Sequence, residues 1–390
     1  MRIALERSAS MGRSNWEQQG FTLVELMIGL AIATIIIAAG FTALTGSNKA
    51  TQINDQTAQA QQNARIAMEL LSHDIKMAGF GMTGAVGNCP TAIVPADFSS
   101  TGNDTGPDSI SVVVPTTSTV APLWTLDNPG VTGPFTTMPL TPGAVTDMTN
   151  AGLGTSGSIV SVGGVMSASV TASGNNLSLG ATSILAPVFF PSGTPIHLLQ
   201  CITYQVIRAT DANVALCGGN APCLVRGVAP MVGPKIDCNG TVGTNTCVSI
   251  ADGIEDLQLA YGCDGCVTTV NGGVADNLVD DQPGGTANAF DCYDFLPNTA
   301  GCEGGAAPGT PVHTAVPGGA TNDTIRLVRV SIVARQARTD QGFGEGNQAA
   351  ASSPTPLLVE DHLLSSDIGY NNQLRRRVFT RTVETRNLGL

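Results

Sequence analysis

Residues 20–26 are Gly-Phe-Thr-Leu-Val-Glu-Leu, and the chain then carries no charged residue from Leu26 to Asn48. About 20 apolar residues are enough for a helix to cross a bilayer, so this run predicts a membrane-spanning helix. One carboxylate, Glu25, lies a single turn inside its start. An ionisable side chain in such a segment costs about 2.5–3.5 kcal/mol on the insertion scale and generally marks a functional site. This stretch therefore predicts both the first element of the fold and a candidate site.

The 20 residues before this run differ from a secretory signal peptide. They contain Arg2, Arg7 and Arg13 but no apolar core, and the polar leader ends at Gly20, ahead of the hydrophobic segment. Met11 is a second candidate start, which would shorten the leader to residues 11–20. The sequence leaves the start codon open.

The arrangement of Gly20, Phe21, Glu25 and the uncharged run resembles the class III signal of type IV prepilins and pseudopilins. The resemblance implies that a membrane-embedded prepilin peptidase cuts between Gly20 and Phe21, N-methylates Phe21, and leaves the apolar helix on the mature protein. It also implies that Glu25 neutralises the terminal amine of a neighbouring subunit during assembly. A partner cation would relieve the cost of an unpaired charge in lipid. The alternative is a plain signal anchor that happens to contain a glutamate.

A single long helix is predicted from Phe21 to Ala78, because this range contains no proline and Gly79 follows as a C-cap. We divide it into a transmembrane and assembly helix, 21–48, after the leader 1–20, and an amphipathic continuation, 49–79. Gly46-Ser47-Asn48 predicts a bend or a frayed turn between them. Spacings of three and four predict one apolar stripe on the second part, made of Ile53, Thr57, Ala60, Ala64, Ala67, Leu71 and Ile75.

The rest of the chain has the composition of an exported, β-rich head. Only 12% of the 390 residues are charged, and 46 are glycine. We expect a Gly/Ser/Thr-rich β region at 80–200 and a β-rich region with most of the cysteines at 201–390. The predicted fold is α+β and pilin-like, with a long N-terminal helix packed on a β-rich globular head. The net charge of −12 argues against nucleic acid as the main partner.

Several strands are predicted from alternation and turn residues. They are Ser109–Val114, Ser158–Val162, a hairpin around Gly174-Asn175-Asn176, Leu198–Arg208 with a return at Val214–Cys217, Ile254–Tyr261 after a short turn, Asp323–Arg335, and Leu374–Arg386. In the strand that ends at Arg335, the alternation predicts that Val328, Val330, Ile332 and Ala334 share one face.

All ten cysteines follow the membrane segment, which fits export into an oxidising compartment. Up to five disulfides can form, and connectivity does not follow from sequence alone. Spacing suggests local pairs, Cys217 with Cys223, Cys238 with Cys247, and Cys292 with Cys302. Cys263-Asp264-Gly265-Cys266 has CxxC spacing, which favours a disulfide over a zinc or redox site because no second pair or βαβ setting accompanies it.

No pattern for catalysis, and no cofactor, is predicted. The four histidines are scattered, and neither HExxH nor GxSxG occurs. Acidic residues crowd one Gly-rich loop but miss the EF-hand spacing, so a solvated loop is favoured over a calcium site. These residues are Asp276, Asp280, Asp281, Asp291 and Asp294.

Four later segments narrow the resemblance to PilW-type minor pilins. They are residues 68–80, 250–262, 325–335 and 374–380. The resemblance implies a non-enzymatic subunit that helps initiate pilus assembly at the fibre tip. It implies other minor pilins, the major pilin and a tip adhesin as partners. The implied location is a single pass in the inner membrane with a periplasmic head, and the pilus at the cell surface after assembly.

Two other functions stay open at this point. A J-type pseudopilin of a type II secretion system resembles the chain at the helix but is usually shorter. An anchored extracellular binding or enzymatic domain would need a catalytic or aromatic site that the sequence does not display. The adhesion target is not readable from the sequence.

Arginine is concentrated near the C-terminus. Residues 323–390 contain nine arginines against seven acids, within a chain that is acidic overall. Such polarity can orient neighbouring subunits, so Arg375, Arg376 and Arg377 are a candidate subunit interface. The alternative is a solvated strand face.

Overall fold

The computed structural model describes residues 21–87, 89–96, 106–116, 124–127, 131–132, 136–154, 158–179, 189–208, 211, 214–218, 221–228, 231–232, 235–236, 238, 247–263, 292–293, 325–338, 357–360, 362–364, 367 and 374–385. The chain divides into two compact units, Met1–Asp55 and Gln56–Leu390. Together they contain a long N-terminal helix and a β-rich head, so the predicted α+β, pilin-like class is confirmed.

Helix α1 spans Leu23–Met77, 55 residues, as predicted from the absence of proline. It ends before Gly79, whose φ of 78° lies in the left-handed region that glycine adopts without a Cβ penalty. The helix continues through Gly46-Ser47-Asn48, where the sequence predicts a bend or a frayed turn. One glycine costs only about 1 kcal/mol relative to alanine, which the flanking helix-forming residues can offset.

The part of α1 in the second unit buries the predicted apolar stripe. Ala64, Ala67, Leu71 and Ile75 are fully buried, while Ile66, on another face, is 48% exposed. A helix whose apolar residues recur every three to four positions buries one side and leaves the other in water. The stripe is therefore confirmed over these three turns.

The described part of the head contains 19 strands and one short α-helix, α2, at Ala144–Asn150. Strands β1 to β10 are Ile93–Ala96, Ser109–Thr116, Val131–Thr132, Thr137–Pro139, Ser158–Val162, Met166–Ser173, Asn176–Leu179, Phe189–Phe190, Ile196–Ile207 and Cys223–Gly227. Strands β11 to β19 are Met231–Val232, Lys235–Ile236, Val248–Asp252, Ile254–Cys263, Cys292–Tyr293, Ile325–Arg335, Leu358–Val359, His362–Leu363 and Arg376–Glu384.

Nine of the strands form one sheet, in the order β1-β2-β9-β5-β6-β7-β4, with β10 joined to β9 and β13 joined to β10. All of these pairings are antiparallel. The 12-residue β9 is the centre, because it pairs with β2, β5 and β10. The boundary expected at residue 200 falls inside β9, so this sheet draws strands from both of the expected β regions.

A second, four-stranded antiparallel sheet has the order β15-β14-β16-β19. In β16, Val328, Val330, Ile332 and Ala334 are buried in the main core, as the alternation predicts. Val333 points to the opposite face, where it packs with Val359 and Leu364. Both faces of β16 are therefore covered in the middle of the strand.

Two apolar clusters organise the head. The main cluster joins α1 to both sheets, with Leu71 and Ile75 of the helix, Ile110 of β2, and Leu257 and Ile332 of the second sheet. The other cluster surrounds Trp124 and Met148 of α2. In that cluster the Trp124 Nε1–H donates to Asp147 at 2.8 Å.

Most predicted strands are confirmed, and two details are wrong. The return of β9 is not Val214–Cys217, which forms a 3₁₀ turn, but β10 at Cys223–Gly227. Residues 248–252, predicted as a turn, form β13. At residues 214–217 the disulfide between Cys217 and Cys223 accompanies the turn that precedes β10. Residues 248–252 form a strand because they pair with β10.

Candidate functional site

The N-terminus of α1 is capped by reciprocal hydrogen bonds between Thr22 and Glu25. The Glu25 N–H donates to Thr22 Oγ1 at 3.2 Å, and Glu25 Oε2 accepts from the Thr22 N–H and hydroxyl, both at 3.0 Å. This is a capping box, in which a Thr at the N-cap and a Glu three residues later satisfy each other's free N–H groups. The Glu25 carboxylate is therefore held at the positive end of the helix dipole.

Within the described residues of the first unit, Glu25 has no basic partner. The only basic side chain between residues 21 and 55 is Lys49, about 36 Å further along the helix at 1.5 Å per residue. All residues from 21 to 52 are exposed, and Phe21, just before the helix, is 87% exposed. The helix is long and apolar enough to cross a membrane. Gly20, the predicted cleavage position, lies outside the described residues.

The other end of α1 carries a second carboxylate with a different environment. Asp74 is buried, and its Oδ2 accepts hydrogen bonds from the Tyr204 hydroxyl at 2.6 Å and from Arg226 Nη2 at 3.0 Å. Arg226 Nε also donates to Asp74 Oδ2 and to the Tyr204 hydroxyl oxygen, both at 3.1 Å. Burial and the Asp74 charge raise the pKa of Tyr204, so its hydroxyl stays protonated as the donor. This cluster joins the helix to β9 and β10.

A second buried ionic group lies on the four-stranded sheet. His362 is fully buried, with Nδ1 at 2.9 Å from Asp256 Oδ2 and Nε2 at 3.0 Å from Asp367 Oδ1. Burial alone would lower the pKa of His362, but the hydrogen bonds to both carboxylates outweigh it and raise the pKa to about 10. An imidazolium between two carboxylates therefore joins the segment around residue 362 to β14. Gln258 Nε2 completes the group by donating to Asp256 Oδ1 at 3.0 Å.

Three disulfides lie in the described residues. Two join the short-loop pairs, Cys217–Cys223 and Cys238–Cys247. The third joins Cys89 to Cys201 across 112 positions, a pairing that spacing cannot indicate. Cys263 and Cys292 are backbone partners of β14 and β15, while Cys266 and Cys302 lie outside the described residues.

The predicted arginine cluster begins β19. Arg376 is half-buried and donates from Nη2 to Glu255 Oε1 at 3.0 Å, whereas Arg375 and Arg377 are exposed. Arg335 Nη1 reaches the same Glu255 oxygen at 3.4 Å. Arg335 of β16 and Arg376 of β19 therefore both contact the carboxylate of Glu255.

Among the residues that the structure describes, no group of three His, Cys, Asp or Glu side chains could hold a metal ion. The five aspartates of the predicted acidic loop lie outside these residues. The Asp74 and His362 clusters escaped sequence reasoning because their members are up to 152 positions apart.

Comparisons with known families match both ends of the chain. A model of the type IV pilus-assembly protein W family matches residues 213–387, which include β14, β16 and β19. A model of the prokaryotic N-terminal methylation motif matches residues 17–41, which include Gly20, Phe21 and Glu25. No curated protein and no solved structure matches the chain.

The predicted resemblance is thus confirmed at both ends. The methylation-motif match contains Glu25 and the uncharged run as far as residue 41, and the protein W match contains three of the four later segments. Proteins of these families are structural components. The chain is thus similar to the type IV pilus-assembly protein W family over residues 213–387, and together with the N-terminal methylation motif this similarity supports a PilW-like type IV minor pilin.

Proposed function

We propose that this minor pilin helps to initiate pilus assembly and sits at the fibre tip together with other minor pilins. The observation that carries the proposal is the start of α1, where an exposed carboxylate without a basic partner precedes an uncovered apolar helix. Such a helix needs a membrane or other helices to cover it. A pilus core, built from the helices of many subunits, supplies that cover.

The assembly step follows from the position of Glu25. Prepilin peptidase cleaves after Gly20 and N-methylates Phe21, which creates a cationic amine at the helix start. The Glu25 carboxylate pairs with the Phe21 amine of an adjacent subunit, because each charge is costly in an apolar bundle until it is matched. Thr22 holds the carboxylate at the helix start before that partner arrives.

The route and the partners follow from the same step. The chain is inserted in the inner membrane with a single pass and a periplasmic head, where the oxidising environment allows the three disulfides to form. It then joins the major pilin and the other minor pilins, and a large adhesin is its tip partner.

The head acts as a binding and structural unit rather than as an enzyme. In support, both ring nitrogens of His362 are engaged by carboxylates, which leaves neither nitrogen for general acid–base work. Arg375, Arg376 and Arg377 belong to a subunit interface.

The test is deletion of the gene and complementation with the wild-type chain. We expect the deletion to remove or sharply reduce surface fibres in electron micrographs, and gold-labelled antibody against the head to mark fibre ends in complemented cells. Label along the whole shaft would contradict the tip position. Normal fibres with loss of exported proteins from the medium would replace the pilus function by that of a secretion pseudopilin.

A further inference from the structure

Four of the ten cysteines are not used by the three disulfides that lie in the described residues. These four are Cys263, Cys266, Cys292 and Cys302. Four cysteines allow three complete connectivities, and sequence alone does not choose between them. The backbone of the four-stranded sheet adds the information that the sequence lacks.

The pairing of β14 with β15 places two of these cysteines directly opposite each other. β14 ends at Cys263, β15 begins at Cys292, and the antiparallel register makes the two residues partners. Directly opposite residues of such a ladder share a face of the sheet, and their Cα atoms lie about 4.5 or 5.5 Å apart. A disulfide needs a Cα separation of about 4.4–6.8 Å, so both spacings allow one. The three described disulfides have Cα separations of 5.6, 5.4 and 5.7 Å.

The shortness of β15 is a second, independent observation. The strand has two residues, and within the described part of the chain it pairs with β14 alone. The two strands are separated along the chain by residues 264–291, and bringing the ends of such a connection together costs conformational entropy. Short strand pairs offset little of that cost in water. A covalent link would reduce it, because it constrains the unfolded chain as well.

We propose that Cys263 and Cys292 form a disulfide that fixes β15 to the edge of the four-stranded sheet. The bridge lies at the end of β14, whose other edge pairs with β16. A cysteine joins only one bridge, so this pairing excludes both Cys263–Cys266 and Cys292–Cys302, which sequence spacing suggests. Complete pairing would then join Cys266 to Cys302, both outside the described residues.

Formation of this bond is a two-electron oxidation, and the oxidant is a protein that carries a reactive disulfide. The thiolate of one cysteine attacks that disulfide, which gives a mixed disulfide and releases the first thiolate of the oxidant. The thiolate of the other cysteine attacks the sulfur of the first cysteine, which forms the Cys263–Cys292 bond and releases the second thiolate of the oxidant. The two protons lost by the cysteines end on the two sulfurs of the oxidant. That the head meets such an oxidant rests on its exported location in the proposed function.

Peptide mapping of the full chain tests the bridge directly. The protein is purified from membranes of the cells that make it, its free thiols are blocked with N-ethylmaleimide, and it is digested without reduction by endoproteinase Asp-N. Cleavage before aspartate separates the four cysteines into the peptides 256–263, 264–275, 291–293 and 294–322. We expect mass spectrometry to find 256–263 joined to 291–293, and to find this linked peptide lost after reduction.

Other linkages in the same digest would overturn the proposal. Peptide 256–263 joined to 264–275, or 291–293 joined to 294–322, would establish the pairs that spacing suggests. N-ethylmaleimide on Cys263 would show a free thiol there and would also contradict the bridge. If this label appeared only after treatment with a metal chelator, the cysteine would be a metal ligand instead of a disulfide partner.

Single variants identify the partner by the thiol that they release. Cys292→Ser should leave Cys263 as the residue that N-ethylmaleimide labels, whereas release of Cys302 would contradict the proposal. Cys217→Ser is the matched control and should release Cys223, its partner in the structure. The map of the wild-type chain does not depend on the folding of either variant.

Failure of the bridge and failure of the proposed function give different results. A free Cys263 beside an intact Cys89–Cys201 bridge would overturn the Cys263–Cys292 pairing alone. Loss of both bridges would overturn the pairing and would also contradict the exported location of the head. Surface fibres are scored separately in the gene deletion, because the peptide map does not require them.

Discussion

Two carboxylates on the same helix illustrate how differently its ends are built. Glu25 is exposed and bonded only to Thr22, whereas Asp74 is buried and bonded to Tyr204 and Arg226 of the head. Asp74 has its cation within the chain. Glu25, within the described residues of its unit, does not.

The apolar residues of the two parts differ in the same way. Leu30 is 65% exposed, while Leu71 is fully buried in the main core. The energy of covering Leu71 is part of the folding of this chain, and the energy of covering Leu30 must come from outside it. The contrast indicates that the first part of α1 is built for association and the second for stability.

The largest expected effect is on assembly. Glu25→Ala should be cleaved and inserted in the membrane but form no fibres, because the neighbouring amine then lacks its carboxylate. The measurement is immunoblotting of membrane and sheared-fibre fractions. Glu69→Ala removes an exposed acid elsewhere on α1 and should assemble normally. Normal piliation with Glu25→Ala would remove the basis of the proposed pairing.

Cleavage is a separate step that can be checked in the same cells. Gly20→Ala should retain the leader, seen as a slower band on a gel, because the class III signal that the chain resembles has a glycine before the cut. If that variant matures normally, the cut lies elsewhere, and the Phe21 amine cannot be the partner of Glu25.

The next effect concerns core packing. Leu71→Ala should lower the free energy of unfolding of the head by about 2–5 kcal/mol, since it leaves a cavity in the main cluster. Urea unfolding of the full chain in micelles, followed by near-ultraviolet circular dichroism, measures it. Leu30→Ala is the matched control and should leave the unfolding of the head unchanged. Equal destabilisation by both variants would contradict the division of labour between the two parts of the helix.

Sequence reasoning succeeded where information is local. The spacing of Ala64, Ala67, Leu71 and Ile75 fixes which face of α1 is buried, because the period of a helix is constant. Alternation did the same for Val328 and its neighbours in β16. The candidate site at Glu25 could be predicted from the seven consecutive residues 20–26 and the uncharged run that follows them.

It failed where partners are distant. Nothing near Asp74 indicates Tyr204, 130 positions later, and nothing near Cys89 indicates Cys201. The order of strands around β9 decides both, and that order depends on long-range packing. The Arg375–Arg377 run was visible in the sequence, but the contact of Arg376 with Glu255, 121 positions earlier, was not.

The His362 cluster adds a pH dependence to the stability of the head. A pKa raised from 6.5 to about 10 stabilises the fold fully below pH 6.5, and this stability is lost as the pH rises through 10. The head should therefore lose roughly 2 kcal/mol between pH 7 and 9, at up to about 1.4 kcal/mol per pH unit. Arg226, whose pKa is raised by Tyr204 and Asp74 against the effect of burial, stays charged throughout.

His362→Gln provides the control for that slope. Urea unfolding at several pH values should show a stability gap between wild type and variant that is widest near pH 6 and narrows toward pH 10. A gap that does not change with pH would mean that His362 is not charged in the folded head. The raised pKa of Tyr204 keeps its hydroxyl protonated over this pH range, so Tyr204 does not contribute to the difference between wild type and variant.

The smallest expected effect is that of Asp74→Asn on stability. Asp74 and Glu25 can be compared directly, since each carboxylate can be changed to an amide of the same size. Asp74→Asn still accepts a hydrogen bond from Tyr204, and the Arg226 side chain, 33% exposed, can turn to water. We therefore expect a loss of only about 1–2 kcal/mol in the free energy of unfolding and normal fibres.

Glu25→Gln should leave unfolding of the head unchanged and abolish fibres, because an amide cannot neutralise an amine in an apolar bundle. Unfolding curves and sheared-fibre blots of the two variants, run side by side, separate the charge needed within the chain from the charge needed between chains. If Asp74→Asn abolished fibres at unchanged stability, Asp74 would also act in assembly, and the assignment of the two ends to different tasks would be wrong.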